Sequence, residues 1–178
     1  MQTSVRQKTN QALIFLAVAA VVLAADQASK AWVLEALATA SRPVVIVLPG
    51  LLRFEYAENR GAAFSMFQEH PGVLTVVAAL LAVFVLVWAL FFLRPEERVA
   101  RLSLALVLGG ALGNLIDRFR HSFVVDFIVA HWKGHAWPTF NIADAAICVG
   151  IGVFFIVSLK AGKKETEKEE EKAPADTP

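Results

Sequence analysis

Apolar residues gather along the chain into four long stretches, each near the roughly 20 residues that a helix needs to cross the hydrocarbon layer of a membrane. Helices suit that layer because no water is present to satisfy free backbone groups, and a helix pairs its own. Residues 73–93 carry no charge, 99–116 is interrupted only by Arg101 near its start, and 142–159 only by Asp144. The stretch 12–25 is shorter, but its helical pattern continues past Asp26 and Lys30 through Ala31, Trp32, Val33 and Leu34. The pattern therefore predicts transmembrane helices over about 12–34, 73–93, 99–117 and 142–159.

Between the first two spans the periodicity shortens. β-Branched and alternating residues at 44–47 and 52–56 flank Pro49-Gly50, which reads as a strand, a turn and a second strand. The segment 118–139 mixes the apolar run Phe123-Val124-Val125 with Trp132, Trp137 and Pro138, a composition suited to the lipid headgroups. The expected fold is a membrane all-α protein, a four-transmembrane-helix bundle with a small extracytoplasmic β-sheet and an interfacial segment. Residues 1–159 form the membrane-embedded body. From Lys160 the composition turns to Lys, Glu, Pro and Thr, too poor in apolar surface to offset the entropy of ordering, so 160–178 is expected to be a disordered, charged cytoplasmic tail.

Composition agrees with a membrane setting: 57% of the 178 residues are hydrophobic, above the roughly 45–50% of soluble domains. A net charge of +1 provides no long-range field for nucleic acid. The distribution of charge is more informative. With four spans, Arg6 and Lys8, then Arg94, Arg98 and Arg101, then Lys160, Lys163 and Lys164 all fall on one side, which the positive-inside bias makes cytoplasmic, so both termini are expected inside. Arg6 and Lys8 ahead of an apolar core ending in Ala24 and Ala25 also fit a secretory signal peptide. That alternative discards a segment whose polar end matches those of the other spans. Cys148 is the single cysteine, so an intrachain disulfide is excluded and a small buried hydrophobe is the expected role. His70, His121, His131 and His135 show no helical ligand spacing, and no metal or other cofactor is assigned. Gly109, Gly110 and Gly113 lie within a span, at a spacing that lets helices approach closely.

Outside the tail the aspartates are Asp26, Asp117, Asp126 and Asp144, and the topology brings all of them to the outer ends of the helices. Ionisable groups beside a span are costly, about 2.5–3.5 kcal/mol for Asp at a helix centre, so their convergence points to a wet polar site. Asp26 and Lys30, spaced i to i+4, fit a structural ion pair. Asp117, followed by Arg118 at a helix end, is balanced between a solvated structural role and a functional one. Asn141 can cap the last helix with Asp144 in its first turn, where the macrodipole favours an anion. Asp126, between Val125 and Phe127 with no adjacent base, is the hardest to read as structural. Two carboxylates in a partly dry site share a proton, and such a pair activates water for peptide hydrolysis. Ser65, Ser103 and Ser122 have no histidine obviously placed to activate them. A small transporter and a purely structural subunit are the competing classes. Transport sites tend to lie at the bilayer midplane, whereas these aspartates gather at one end.

At these residues the chain resembles the lipoprotein signal peptidases, or signal peptidase II, of bacterial inner membranes. Asp26-Gln27-Ala28-Ser29-Lys30 is similar to the family's DQxxK segment, and Asn59-Arg60-Gly61-Ala62-Ala63-Phe64-Ser65 to its NxGxAF segment. The run from Gly109 through Asn114 to Asp117-Arg118 resembles GGxxGNxxDR. Val124-Val125-Asp126-Phe127 and Phe140-Asn141-Ile142-Ala143-Asp144 resemble the segments that bear the catalytic aspartates. The resemblance covers the membrane body and omits the charged tail. It implies an aspartic endopeptidase that cuts the signal peptide from a prolipoprotein just before a cysteine carrying diacylglycerol, with Asp126 and Asp144 as the dyad. Asn59, Gly61, Asn114, Arg118 and Asn141 are then supporting residues, and Asp26, Lys30 and Asp117 structural neighbours of the site. The implied partners are the lipidated substrate, membrane phospholipid and the cyclic peptide inhibitor globomycin, with the enzyme acting as a monomer at the extracytoplasmic face.

Overall fold

The computed structural model describes residues 2–39, 41, 43–61, 71–94 and 96–172. The second half of the NxGxAF-like segment, with Ser65 and also His70, lies outside them, as do 173–178 of the expected tail. Among the described residues, four helices are long and apolar enough to cross a membrane: α1 (Gln2–Ala36), α2 (Pro71–Val87, carried on by a π-helical turn at Trp88–Phe92), α3 (Arg98–His121) and α4 (Ile142–Lys172). Large apolar side chains such as Leu80, Phe84, Phe91, Ile151 and Phe155 stand exposed along α2 and α4. Such a belt suits lipid rather than water.

α3 is the most buried of the four, with α1, α2 and α4 around it. Small residues make the approach possible. A Cβ at Gly109 would stand 2.6 Å from the Ala19 carbonyl oxygen of α1, and one at Gly110 2.5 Å from the Ala143 carbonyl oxygen of α4. The expected packing role of these glycines thus has a backbone partner on each side. Away from the polar end, Phe15, Ala19, Ala82, Ala89, Leu104, Ala105 and Leu108 form a dry core shared by α1, α2 and α3. At the far end of α2, the Arg101 guanidinium donates 2.7 Å to the Leu93 carbonyl, a cation at carbonyls left free by the helix end.

An antiparallel sheet of order β1-β2-β3-β4 sits at the other end, from β1 (Val45–Leu48), β2 (Leu52–Asn59), β3 (Val124–Trp132) and β4 (His135–Ala136). The β1–β2 hairpin closes at Pro49-Gly50 as the sequence predicts, with Gly50 at φ +75°, where a side chain would strain the turn. The segment 118–139, whose composition gave no secondary structure, holds the last turn of α3, then β3 and β4. β3 is buried on both faces through Phe127, so apolar residues stand on both sides of it around Asp126, without the alternation that announces a strand. Beneath the sheet, Val33 of α1 and Leu37 just past its end meet Val125 and Phe127, and Trp32, Phe54 and Phe127 join edge to face.

α4 continues without a break to Lys172, so 160–172 is helical where the sequence suggested disorder. Lys and Glu are good helix formers, and no proline intervenes before Pro174. The packing argument predicts that Gly110→Ala destabilises the protein by about 1–3 kcal/mol, since backbone fills the place of the added methyl. Gly152→Ala, where nothing lies within 4 Å of the new Cβ, is the matched control. Thermal unfolding of both purified variants checks this, and equal midpoints would refute it.

Candidate active site

The polar end of the bundle is organised around one ammonium group. Asp26 and Lys30 are a helical turn apart on α1, and Lys30 Nζ lies 2.8 Å from Asp26 Oδ2. The same Nζ lies 2.9 Å from Asp117 Oδ2 and donates 3.0 Å to Asn114 Oδ1, both on α3. All three ammonium protons are engaged, as burial demands, with Lys30 only 2% exposed. The two acids reach on to other elements. Asp26 Oδ1 accepts the Ala143 N–H at 2.9 Å in the first turn of α4, and Asp117 Oδ2 accepts the Val125 N–H of β3 at 3.0 Å. Gly113 lets Asp26 in: a Cβ there would clash with Asp26 Oδ2.

This geometry corrects the expectation of a solvated Asp117, which is 2% exposed. Its counter-ion is 87 positions away in sequence, so the neighbouring Arg118 misled. Gln27, to which the sequence assigned no role, donates to Asp117 Oδ1 at 3.0 Å and to the Gly113 carbonyl at 3.2 Å. Its place as the specified second residue of the DQxxK-like segment, beside Asp26, was the available signal.

Asn114 links this knot to a second pair of carboxylates. Its Oδ1, already facing Lys30, also accepts from Asn141 Nδ2 at 3.1 Å, and its Nδ2 donates 2.8 Å to Asp144 Oδ1. Asn141 and Asp144 form a reciprocal cap at the start of α4. Asp144 N–H donates 2.9 Å to Asn141 Oδ1, and Asn141 N–H donates 3.2 Å to Asp144 Oδ2. Asn141 Nδ2 then donates 2.8 Å to Asp126 Oδ1, and Asn59 Nδ2 donates 3.0 Å to Asp126 Oδ2. Asn59 is itself held by the Gly61 N–H, 3.0 Å from its Oδ1. Arg118 donates to the carbonyls of Gly61 and Asn114, at 3.2 and 3.3 Å, steadying the loop and α3 beside the site.

A bulge in β2 is needed for this arrangement. Phe54 pairs with Ile128 but Ala57 with Asp126, so β2 has one residue more than β3 between those pairs. Without it the alternation would turn Asn59 to the opposite face of the sheet.

Asp126 and Asp144 open onto one cavity of about 590 Å³, lined also by Asn59, Gly61, Arg118 and the ring of Trp137. Burial, and next the neighbouring Asp144 carboxylate, push the Asp126 carboxyl up to about 7, against the amide hydrogen bonds of Asn59 and Asn141 and the charge of Lys30. No histidine or serine among the described residues lines that cavity, and Ser103 is turned to the Ala100 carbonyl. The four aspartates thus divide. Asp26 and Asp117 share Lys30, while Asp126 and Asp144 share the cavity, held by amides. A pair of that second kind is fitted to carry one proton between two oxygens and a water.

The knot predicts that Lys30→Met costs about 3–5 kcal/mol, because two buried carboxylates lose their counter-ion. Thermal unfolding and folded yield in detergent check it. A variant as stable as the parent would show that the pair is dispensable.

A family model described as signal peptidase (SPase) II matches residues 18–160. A lipoprotein signal peptidase of Syntrophotalea carbinolica is 38% identical over 157 residues, covering 87% of this chain and 96% of that protein. One from Shewanella piezotolerans is 44% identical over 149 residues, covering 80% and 84%. Among solved structures, a bacterial membrane enzyme obtained in meso at 1.9 Å superposes with a TM-score of 0.74 at 25% identity, covering 83% of this chain and 93% of that one. A second, at 2.3 Å, has a TM-score of 0.75 at 23% identity, covering 93% and 94%, and shares the fold. With the model spanning every motif from Asp26 to Asp144, the chain belongs to the signal peptidase II family.

Proposed function

We propose that this chain is a membrane aspartic endopeptidase that removes the signal peptide from diacylglyceryl-modified prolipoproteins, cutting before the lipidated cysteine, with Asp126 and Asp144 as its catalytic dyad. The observation that carries the reading is the meeting of these two carboxylates, from β3 and the first turn of α4, in one cavity and on one set of amide donors. Asp144 is the member better held as an anion, since it accepts from Asn114 and from a backbone N–H at the positive end of α4. Asp126 is the member better kept neutral. Asp144 then takes a proton from the attacking water, and the Asp126 hydroxyl donates to the carbonyl oxygen on which charge develops. As the intermediate collapses and its C–N bond breaks, Asp144 passes its proton to the departing amine and Asp126 recovers its proton from the re-forming carbonyl, which completes hydrolysis. Asn59, Asn114 and Asn141 hold both carboxylates before substrate arrives, so little reorganisation is left for the transition state.

The surroundings support the lipidated substrate. Apolar surface on the helices meets a polar cleft at one end of the bundle, which lets acyl chains stay in the bilayer while the peptide reaches the dyad. The Lys and Arg distribution puts both termini in the cytoplasm and the cleft on the extracytoplasmic side of the inner membrane. Residues 118–139 lie at the headgroups in this topology, and the sheet is extracytoplasmic. All the site residues come from one chain, so a monomer suffices. Globomycin, as a cyclic peptide, would occupy the same cleft.

Asp126→Asn and Asp144→Asn keep side-chain size and remove the exchangeable proton, so each is expected to reduce cleavage of a lipidated prolipoprotein by at least about 10⁴-fold, with the double variant little worse. Globomycin binding confirms folding, and near-parental turnover in either variant removes the dyad.

The position of Asp126 also sets a pH dependence. Its folded carboxyl titrates near 7, against about 3.9 in an unfolded chain. The native state therefore holds the extra proton, and stability falls as pH rises from about 4 through 7. Cleavage should decline over the alkaline side of the same transition as the acid is lost. Asp126→Asn should flatten the stability profile there. An unchanged slope of unfolding midpoint against pH in that variant would contradict the assignment.

A further inference from the structure

At the end of the bundle opposite the dyad, α1 and the start of α3 border an open depression, a second cavity of about 380 Å³, lined by Arg6, Gln7, Asn10, Gln11, Ile14 and Arg98. Gln11 precedes Asp26 by 15 positions on one helix, which separates the two sites by about 22 Å at the helical rise. The peptidase machinery does not use these residues.

Three features of this cavity point to one chemistry. Arg6 and Arg98 supply two guanidinium groups, whose planar donors match phosphate oxygens. No carboxylate among the described residues lines it. Glu97, the neighbour of Arg98, has its carboxylate turned to the Arg94 N–H at 2.6 Å. Gln11 is only 8% exposed and lines the same depression. Its side-chain amide can donate to a ligand oxygen that fills the place. The wall toward the bilayer is Ile14, next to the exposed Leu13 and Leu16. That places the polar donors just above an acyl-chain surface.

We propose that this cavity binds the phosphate of an anionic phospholipid headgroup, with Arg6 and Arg98 on the phosphate oxygens, Gln11 as the buried donor beneath them, and the acyl chains along α1. A free phosphate presents the same oxygens but leaves the apolar flank unused. The bound lipid would tie the first turns of α1 to α3.

The test uses the purified full chain in detergent, titrated with dioleoylphosphatidylglycerol, dioleoylphosphatidylcholine or inorganic phosphate, with adducts read by native mass spectrometry and stability by thermal unfolding. Phosphatidylglycerol should be retained in preference to phosphatidylcholine and should raise the unfolding midpoint. Arg6→Gln and Arg98→Gln should each weaken its retention about fivefold, and together about 25-fold, from the usual contribution of a basic residue at an anionic surface. Gln11→Leu should weaken it as well, while Lys8→Gln, outside the cavity, should not. Equal retention of the two lipids, an equal loss in Lys8→Gln, or a midpoint shift by inorganic phosphate as large as that by phosphatidylglycerol would each overturn the proposal.

Discussion

A single buried ammonium, that of Lys30, is the interaction on which the polar end of the molecule depends. Taking a lysine charge out of water costs several kcal/mol, recovered only where every proton finds a well-placed oxygen. Lys30 finds them on Asp26, Asp117 and Asn114. Each of those partners is fastened to something else. Asp26 holds the first turn of α4, Asp117 the backbone of β3, and Asn114 the side chains of Asn141 and Asp144. Three helices and the sheet at the polar end are thereby registered against one charge, in a protein whose spans have no hydrophobic force of their own to hold them together in lipid.

The same arrangement explains why the two carboxylate pairs behave differently. A cation in contact with Asp126 or Asp144 would favour the ionised form and leave the cavity without a proton to donate. The structure keeps Lys30 one residue away, with Asn114 interposed, and turns Arg118 to carbonyl oxygens. Amides then fix the carboxylates in place with a weaker pull toward the ionised form than a cation in contact would exert. Burial and the second carboxylate can outweigh that pull, which leaves a proton in the site for acid and base chemistry.

Much of this was legible in the sequence, and the remainder was hidden for identifiable reasons. Four apolar stretches announced the helices, and Pro49-Gly50 between alternating residues announced the hairpin. Asp126 stood out because nothing nearby could neutralise it, and the Asn141-to-Asp144 spacing showed a cap. The missing features are long-range ones. The burial of Asp117 depends on Lys30 in another helix, so local inspection saw only a helix end beside an arginine. β3 is apolar on both faces and has no period to detect. The division of four aspartates into two pairs rests on Asn114, whose two ends point to different pairs, a fact of rotamer and packing rather than of composition.

The bulge in β2 has a consequence for how such a chain can vary. Substitutions in the hairpin change side chains one at a time, whereas loss of a single residue between Phe54 and Ala57 would rotate everything that follows by half a period. Asn59 would exchange places with a neighbour across the sheet, and Asp126 would lose a ligand without any functional residue having been replaced. The length of this short stretch is therefore as much a part of the proposed catalytic apparatus as the identity of the residues it delivers, and divergence in the hairpin is open to changes of spelling but closed to changes of count.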